Sequence, residues 1–260
     1  MGRNKIVRCM FRLPTWCVFS ICRRDSLHRR GNNRNILFSP LMSSDQECYS
    51  FWDMYHRANK PAVVPLQFLL EQYIYRITGL GILSKALEIG CGTGENLRVL
   101  SRYYDHVSGC DICDYALRMA RCVSKKQWLK RNDFETLPFS SNIFDILFFV
   151  KTLGTISNAE HLSNMVKETA RVLKPGGFIA VVDFSFSARK KDMYLYKNVE
   201  SVNCAFVQPK WSSISFIHHS DLSISKLFHP FKCVISTPTV LHTCNGHKES
   251  GCLWLLKKKT

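Results

Sequence analysis

The chain has 260 residues, which is enough to bury one large core, and its apolar fraction of 46% argues against a wholly disordered protein. It has no run of about 18 uncharged apolar residues, which argues against a transmembrane helix. The 12 cysteines have no regular spacing, so we expect reduced thiols in a reducing compartment. Cys110 and Cys113 form a lone CxxC pair with no second pair nearby, and we predict neither a metal site nor a redox pair there.

The net charge of +16 is unevenly distributed along the chain. Residues 1–44 hold nine Lys or Arg and one acid, Asp25, and the other 216 residues carry the remaining half of the excess. This Arg-rich composition is typical of a mitochondrial transit peptide, a basic disordered arm, or untranslated sequence upstream of a start at Met42. We therefore predict a basic extension over 1–44 and one domain over 45–260. We expect a cytoplasmic protein, or a mitochondrial one if the extension is a transit peptide.

Two helices are predicted before the first strand. The segment Ser50–Ala58 places Trp52 and Tyr55 on one side of a helix. A second helix is predicted over Pro65–Thr78, stopped by glycines at 79 and 81.

The most informative segment is a short apolar strand that runs into a glycine-rich turn and then a helical pattern. The strand is Ala86–Ile89, and the glycines are Gly90, Gly92 and Gly94. Glycines let the backbone approach a ligand closely, and a helix N-terminus favours a carboxylate or phosphate. The third glycine comes one residue too early for a dinucleotide fingerprint, and the Gly-Lys-Ser/Thr of a Walker loop is absent. A purely structural tight turn remains the alternative.

Glu88 lies two residues before the first of these glycines, which completes an E-x-G-x-G-x-G pattern. This pattern resembles motif I of the class I S-adenosylmethionine-dependent methyltransferases, of the methyltransferase-11 or UbiE-like type. The resemblance implies that Gly90, Gly92 and Gly94 pass the methionine portion of S-adenosylmethionine. It also implies that Glu88 orders the loop and the amino group of the cofactor.

The next strand, Val107–Cys110, ends in Asp111. It resembles the second strand of the family, whose terminal acid holds both ribose hydroxyls, and an ionised carboxylate accepts two hydroxyl donors well. The implied cofactor site includes Asp111 and the following Ile112. The alternative role for Asp111 is to cap the helix predicted over 114–123.

The segment Asn132-Asp-Phe-Glu-Thr-Leu-Pro-Phe resembles the part of the family that follows strand three. There an acid accepts from the adenine amino group, and the backbone of the next residue contacts the ring. The resemblance assigns these roles to Asp133 and Phe134. An ordinary Asx turn is the alternative for Asp133.

The remaining elements complete an α/β fold. The continuous apolar run Ile143–Val150 is typical of a central parallel strand buried on both faces. Pro175 and Gly176–Gly177 are predicted to end a helix and open a turn into strand five. A short helix starts near Ser220. We predict strands six and seven over 231–236 and 252–256, paired as a hairpin at one edge of the sheet. The expected fold is therefore a seven-stranded, mostly parallel, doubly wound sheet.

The sequence predicts methyl transfer from S-adenosylmethionine to a small-molecule or lipid-like acceptor. The acceptor is expected between the helix of Trp52 and Tyr55 and an insert over about 185–220. The insert is rich in aromatic residues: Phe184, Phe186, Tyr194, Tyr196, Phe206, Trp211 and Phe216. One alternative is an RNA or protein methyltransferase, in which RNA phosphates are gripped by Arg189, Lys190, Lys191 and Lys210. A second alternative is a non-catalytic interaction module.

No catalytic base is assigned from the sequence, and no oligomeric state is predicted. The segment after strand four, residues 151–156, contains no His. His218 and His219 are expected to be structural or exposed. Asp183, at the end of strand five, is a weaker candidate for the base.

Overall fold

The structure is a computed structural model. It describes residues 45–59, 64–123, 128–133, 136–186, 198–201, 204–207, 214, 216–243 and 246–259, all within one unit, Met42–Thr260. The predicted basic extension, and the four basic residues of the RNA alternative, lie outside these residues. Within the described ranges, no helix combines the length and the apolarity needed to cross a membrane.

Two helical segments precede the sheet. Helix α1, Asp45–Ala58, begins five residues earlier than predicted. The second segment has three parts: α2 (Leu66–Leu69), a π-helical turn (Leu70–Ile74) and α3 (Tyr75–Thr78). Gly79 ends it as predicted, because it adopts the left-handed conformation (φ 63°) that favours glycine at a helix C-terminus.

The first half of the sheet alternates strands and helices. In chain order these are β1 (Lys85–Ile89), α4 (Glu95–Leu100), β2 (His106–Asp111), α5 (Asp114–Val123) and β3 (Trp128–Arg131). Strands β1 and β2 are parallel, as are β2 and β3. Their carboxyl ends therefore lie at one edge of the sheet.

The second half contains the most buried strand. Its elements are β4 (Phe144–Val150), a 3₁₀ turn (Leu153–Thr155), α6 (Ala159–Val172) and β5 (Leu173–Phe184). Alternate residues of β4 join the two separate core clusters, so this strand is buried on both faces as predicted.

Helix α6 ends earlier in the chain than predicted. The helix ends at Val172, and Leu173 is already extended, so Pro175 and Gly176–Gly177 lie inside β5. The physical reason is that a residue before proline disfavours the helical region, which pushes the chain into the strand early. Gly176 takes a positive φ of 73° near an irregularity in the pairing of β4 with β5.

The full sheet has the order β3-β2-β1-β4-β5-β10-β9, which confirms the predicted seven-stranded, mostly parallel α/β fold. Helix α7 (Asp221–Leu227) precedes the last two strands, β9 (Phe231–His242) and β10 (Lys248–Lys258). Strand β10 is antiparallel to both neighbours and lies between β5 and β9. The predicted hairpin is thus present, but both of its strands are longer than predicted. Of the two, β9 is the edge strand, and β10 lies inside the sheet.

A second, three-stranded sheet lies in the predicted insert. It has the order β6 (Asn198–Ser201), β7 (Cys204–Val207) and β8 (Phe216–His219). Strand β8 adjoins β5, because Phe186 N donates to His219 O at 2.8 Å. The sequence pattern did not predict these strands.

Candidate functional site

The glycine loop after β1 lies where the strand order reverses between β1 and β4, which is where ligands bind in open α/β sheets. Its three glycines have positive φ values of 73°, 51° and 91° at Gly90, Gly92 and Gly94. A Cβ on Gly90 would overlap the side chain of Thr152, and one on Gly94 would lie 3.0 Å from the Cβ of Ala120. Both the conformation and the space therefore require glycine here.

Glu88 is fully buried beneath this loop. Asn96 Nδ2, on α4, donates to Glu88 Oε1 at 2.8 Å, so the carboxyl group ties β1 to the helix that follows the loop. Burial raises the pKa of Glu88 to about 8. Its Oε2 accepts no hydrogen bond from any described residue, which leaves one buried acceptor beside the loop.

Asp111 ends β2 and is bonded to the glycine loop. Its Oδ2 accepts from Gly92 N at 2.8 Å, and its Oδ1 accepts from Cys113 N at 2.9 Å. Burial raises the pKa of this carboxyl group. Cys113, not Asp111, immediately precedes α5, and Cys113 Sγ lies 3.4 Å from Ala116 N. The geometry therefore favours a role for Asp111 at the loop over the role of a helix cap. Ile112 packs half-buried against the core.

Asp133 lies close to Asp111 along the same edge of the sheet. Asn132 N donates to Asp111 O at 3.1 Å, which brings the residues after β2 and β3 together. Asp133 is exposed, and its Oδ1 accepts from Thr136 N at 3.0 Å, so the turn considered as the alternative is present. Asp133 also lines a cavity of about 400 Å³, together with Tyr49, Arg131, Asn132, Thr136 and Pro138. Phe134 lies outside the described residues.

Helix α1 crosses the loops that follow β1, β2 and β3. Tyr49 stacks beneath the guanidinium of Arg131, which lies 5.5 Å from its ring centre. Asp53 Oδ1 accepts from Cys113 Sγ at 3.9 Å. His56 packs on Gly92, where its Cε1 lies 3.1 Å from the position a Cβ would take. The helix thus covers the candidate cofactor site along its length.

His56 was missed in the sequence analysis, although one signal was available. Tyr49, Trp52, Asp53 and His56 follow helical spacing and therefore share one face. Burial lowers the pKa of His56, against the opposing effect of the carboxylates of Asp111, Glu95 and Asp53.

The segment after β4 connects the glycine loop to the other half of the site. Thr152 Oγ1 donates to Gly90 O at 3.3 Å. Lys151 takes a positive φ of 58°, which is uncommon for a residue other than glycine and is found most often at functional sites. Its Nζ donates to His242 O at 3.1 Å and lies 5.7 Å from the ring centre of Phe184.

Asp183 anchors this same segment. Its Oδ2 accepts from Gly154 N at 2.9 Å and its Oδ1 from Phe184 N at 2.8 Å. Burial raises the pKa of Asp183 to about 6, and the backbone donors and Lys151 oppose that shift. These two bonds fix the position of Asp183 against the segment after β4.

Aromatic side chains from α1, β5 and β8 meet beside this segment. The rings of Phe51 and Trp52 each lie 6.4 Å from the ring of Phe216. Phe184 stacks on His218, with 5.5 Å between ring centres and 21° between planes. His218 and His219 are both buried, so of the two expected environments, structural or exposed, the exposed one does not apply. Tyr194, Tyr196 and Trp211 lie outside the described residues, as does the side chain of Phe206.

Comparison with known proteins identifies the domain that carries this site. Residues 87–181, from β1 to β5, match the family described as "Methyltransferase domain". Over these residues, just over a third of the chain, the sequence is similar to a methyltransferase domain. The matched residues include the glycine loop, Asp111, Asp133 and the segment after β4.

The relatives that match this region differ in the function their names give. A demethylmenaquinone methyltransferase of Tropheryma whipplei is 33% identical over 44% of this chain and 47% of its own length. A sterol 24-C-methyltransferase of Gibberella zeae is 31% identical over 44% of this chain and 31% of its own. A probable tRNA methyltransferase 9B of Mus musculus is 32% identical over 42% of this chain and 23% of its own length. The chain thus spans less than half the length of these relatives.

A solved structure has the same fold. A SAM-dependent methyltransferase from Methanosarcina mazei superposes with a TM-score of 0.63 at 22% identity, over 76% of this chain and 99% of its own.

The described residues contain no group of three or more His, Cys, Asp or Glu side chains placed to hold a metal ion. Seven cysteines of the described residues are free thiols, Cys110 and Cys113 included.

Proposed function

We propose that this chain transfers the methyl group of S-adenosylmethionine to a small-molecule or lipid-like acceptor. The observation that carries the proposal is the bond from Gly92 N to Asp111 Oδ2 at 2.8 Å. It places the one buried acid at the end of β2 directly against a glycine loop that no larger residue could form.

The residues present fit this cofactor. The glycine loop would pass the methionine portion, and the unpartnered Oε2 of Glu88 supplies a buried acceptor on that side. Asp111 would hold the ribose, because each carboxylate oxygen keeps a second lone pair after its backbone bond. The open cavity at Asp133 would take the adenine, and Ile112 would border it.

S-adenosylmethionine, when bound, supplies an activated methyl group on a sulfonium sulfur. The chain therefore has to supply proximity, orientation and the exclusion of water. Helix α1 serves the last purpose, since it already lies over the loops after β1, β2 and β3. Asp183 fixes the segment after β4 through Gly154 N, and Thr152 joins that segment to Gly90.

A small or lipid-like acceptor is supported by the walls of the adjoining region. The rings of Phe51 and Trp52 from α1 lie against Phe216 from β8, and Phe184 from β5 stacks on His218, so aromatic side chains cluster beside the segment after β4. Ligand sites for small molecules are mostly apolar, with a few polar groups that set orientation. The sterol and demethylmenaquinone methyltransferases among the relatives agree with this acceptor class.

RNA is the second candidate acceptor, favoured by the name of the mouse relative. Phosphate binding by several basic residues weakens steeply as salt rises, whereas an apolar pocket is nearly indifferent to salt. This difference separates the two acceptors in one assay.

The test uses the full chain. Calorimetry should show binding of S-adenosylmethionine and S-adenosylhomocysteine, with NAD as a control that binds far more weakly. Labelled methyl transfer is then measured to a lipid extract and to total RNA, at 50 and 200 mM salt. We expect label in the lipid fraction at both salt concentrations. Label confined to RNA, with transfer that collapses at the higher salt, would overturn the acceptor class while leaving the methyltransferase assignment intact.

A further inference from the structure

Asn132 carries a buried oxygen that lacks a donor. Among the described residues, four buried side-chain atoms have no hydrogen-bond partner: Glu88 Oε2, Tyr104 Oη, Asn132 Oδ1 and His219 Nε2. Burying a polar atom without a partner costs free energy, so each such atom calls for a physical reason. Asn132 combines this unpartnered oxygen with a place in the wall of the cavity of about 400 Å³ that follows β3. This combination points to a donor that a ligand brings.

The side chain of Asn132 is held in one orientation. Its Nδ2 donates to Asp133 O at 2.9 Å, and because a carbonyl can only accept, the other end of the amide is the oxygen. Its backbone N donates to Asp111 O at 3.1 Å, so the residue is tied to the end of β2. Asn132 is buried. Its Oδ1 is therefore a fixed acceptor, shielded from water, on the segment bonded to the acid that would hold the ribose.

The cavity beside Asn132 suits a planar base. Tyr49 and Pro138 contribute flat apolar surface to its lining, as is typical of sites for small molecules. The guanidinium of Arg131 is engaged with the ring of Tyr49 and with Asp114 Oδ2 at 3.3 Å. The 6-amino group is the one N–H donor on the adenine of a nucleoside, because its free ring nitrogens are acceptors. An unpartnered acceptor in this wall therefore matches that amino group.

Asp133 is the neighbouring acceptor on the same wall. Its side chain is exposed, and its Oδ1 already accepts from Thr136 N at 3.0 Å. Water competes for an exposed acceptor, so a bond from a ligand replaces a bond from water and adds little free energy. A buried acceptor without a partner has no such competitor. The geometry thus favours Asn132 over Asp133 as the acceptor that distinguishes one base from another.

We propose that Asn132 Oδ1 accepts a hydrogen bond from the 6-amino group of the cofactor's adenine and makes the site selective for a 6-aminopurine over a 6-oxopurine. This inference rests on the proposed function, and it gives Asn132 the role that the family resemblance assigns to Asp133. A 6-oxopurine would place a carbonyl oxygen opposite the amide oxygen. A site built to bind an N–H group rejects an analogue that lacks it, because the acceptor of the site is then left unpaired.

The test is calorimetric titration of the full chain with three ligands: S-adenosylhomocysteine, its analogue without the 6-amino group, and S-inosylhomocysteine. The wild type should bind the deamino analogue about 10-fold more weakly than S-adenosylhomocysteine, and S-inosylhomocysteine more weakly still. Asn132→Ala should bind S-adenosylhomocysteine about 10-fold more weakly than the wild type does, yet bind the deamino analogue within about twofold of the wild-type affinity. A loss that requires both the amide and the amino group measures their coupling, which a merely structural role would not produce.

Asp133→Ala is the matched control, because it removes the neighbouring acceptor from the same wall. It should change the affinities for S-adenosylhomocysteine and for the deamino analogue by the same factor. If Asn132→Ala does not fold, ¹⁵N NMR of the wild type replaces it. The side-chain amide signal of Asn132 should then shift when S-adenosylhomocysteine binds and shift far less with the deamino analogue.

The outcomes separate this inference from the proposed function. A wild-type chain that binds neither S-adenosylmethionine nor S-adenosylhomocysteine refutes the proposed function itself. A wild type that binds S-adenosylhomocysteine and the deamino analogue equally well overturns the bond to the amino group. An Asn132→Ala protein that loses both ligands alike, a coupling that appears in Asp133→Ala instead, or an Asn132 amide signal that responds equally to both ligands overturns the assignment to Asn132.

Discussion

Replacing Asp111 with Ala should weaken cofactor binding without unfolding the domain. The buried carboxylate accepts from Gly92 N and Cys113 N, at 2.8 and 2.9 Å, and has lone pairs left for two ribose hydroxyls. Hydrogen bonds to a charged acceptor contribute about 1.5–3 kcal/mol. We expect the loss of binding free energy to fall in this range for both ribose hydroxyls together, because water takes up part of the hydrogen bonding that the carboxylate supplied. That corresponds to a Kd for S-adenosylhomocysteine raised by about 10- to 150-fold.

The assay is calorimetric titration of the full chain with S-adenosylhomocysteine. Asp114→Ala is the matched control, because it removes the same charge three residues further along the chain. The side chain of Asp114 is exposed, and among the described residues it pairs only with Arg131. Asp111→Asn keeps one acceptor oxygen and should bind with intermediate affinity. An unchanged Kd in a folded Asp111→Ala protein would refute the placement of the ribose, and an equal loss in Asp114→Ala would show that only net charge matters.

Three further perturbations test the fold around the site. Burial raises the pKa of Glu88 from 4.5 to about 8, so the folded state holds a proton that the unfolded state has lost, and stability should fall as pH rises through this window. Urea unfolding should show that the wild type is less stable at pH 8 than at pH 6.5, by about 1–2 kcal/mol, and Glu88→Gln should remove this difference. Gly154→Ala should cost about 1–3 kcal/mol in thermal unfolding, because its Cβ would overlap Ile217 O, whereas Gly81→Ala, with open space around it, should be nearly neutral. Deleting residues 1–41 should leave the melting temperature and the cofactor Kd nearly unchanged, since that segment has no regular apolar pattern; a large loss would show that it packs on the domain.

The parts of the fold that local sequence determines were predicted well. Helix α5 has the predicted bounds, because its apolar residues repeat at helical spacing and Asp114 lies in its first turn. Gly79 ends α3 as predicted, since only a residue tolerant of positive φ fits there. The glycine loop was predicted from its position between a strand and a helix, because a tight turn there permits few residue types, whereas the role of Asp111 was implied by the resemblance to the family's second strand.

The parts that depend on tertiary contacts were not predicted. Strand β9 continues past the predicted end at Ser236 and runs through Pro238. Proline is tolerated there because β9 is an edge strand, and the described residues pair it only with β10. The site residue His56 was missed for a related reason, since its contact with Gly92 joins segments more than 30 residues apart in the chain.

The same distinction explains how the two halves of the site are joined. The cofactor half of the site comes from consecutive βα units, which supply the glycine loop, Asp111 and Asp133 in turn. The order of these residues along the chain therefore fixes their order along the edge of the sheet. The proposed acceptor region has no such local source, because it combines Trp52 from α1, Phe184 from β5 and Phe216 from β8. Helix α1 belongs to both halves, with His56 against the loop and Trp52 against β8. Trp52 and His56 are one turn apart on the same helix and move together if the helix is rigid. A change that moves α1 relative to the glycine loop therefore also moves the part of α1 that borders the proposed acceptor region. This shared helix is the element through which cofactor and acceptor binding would influence each other.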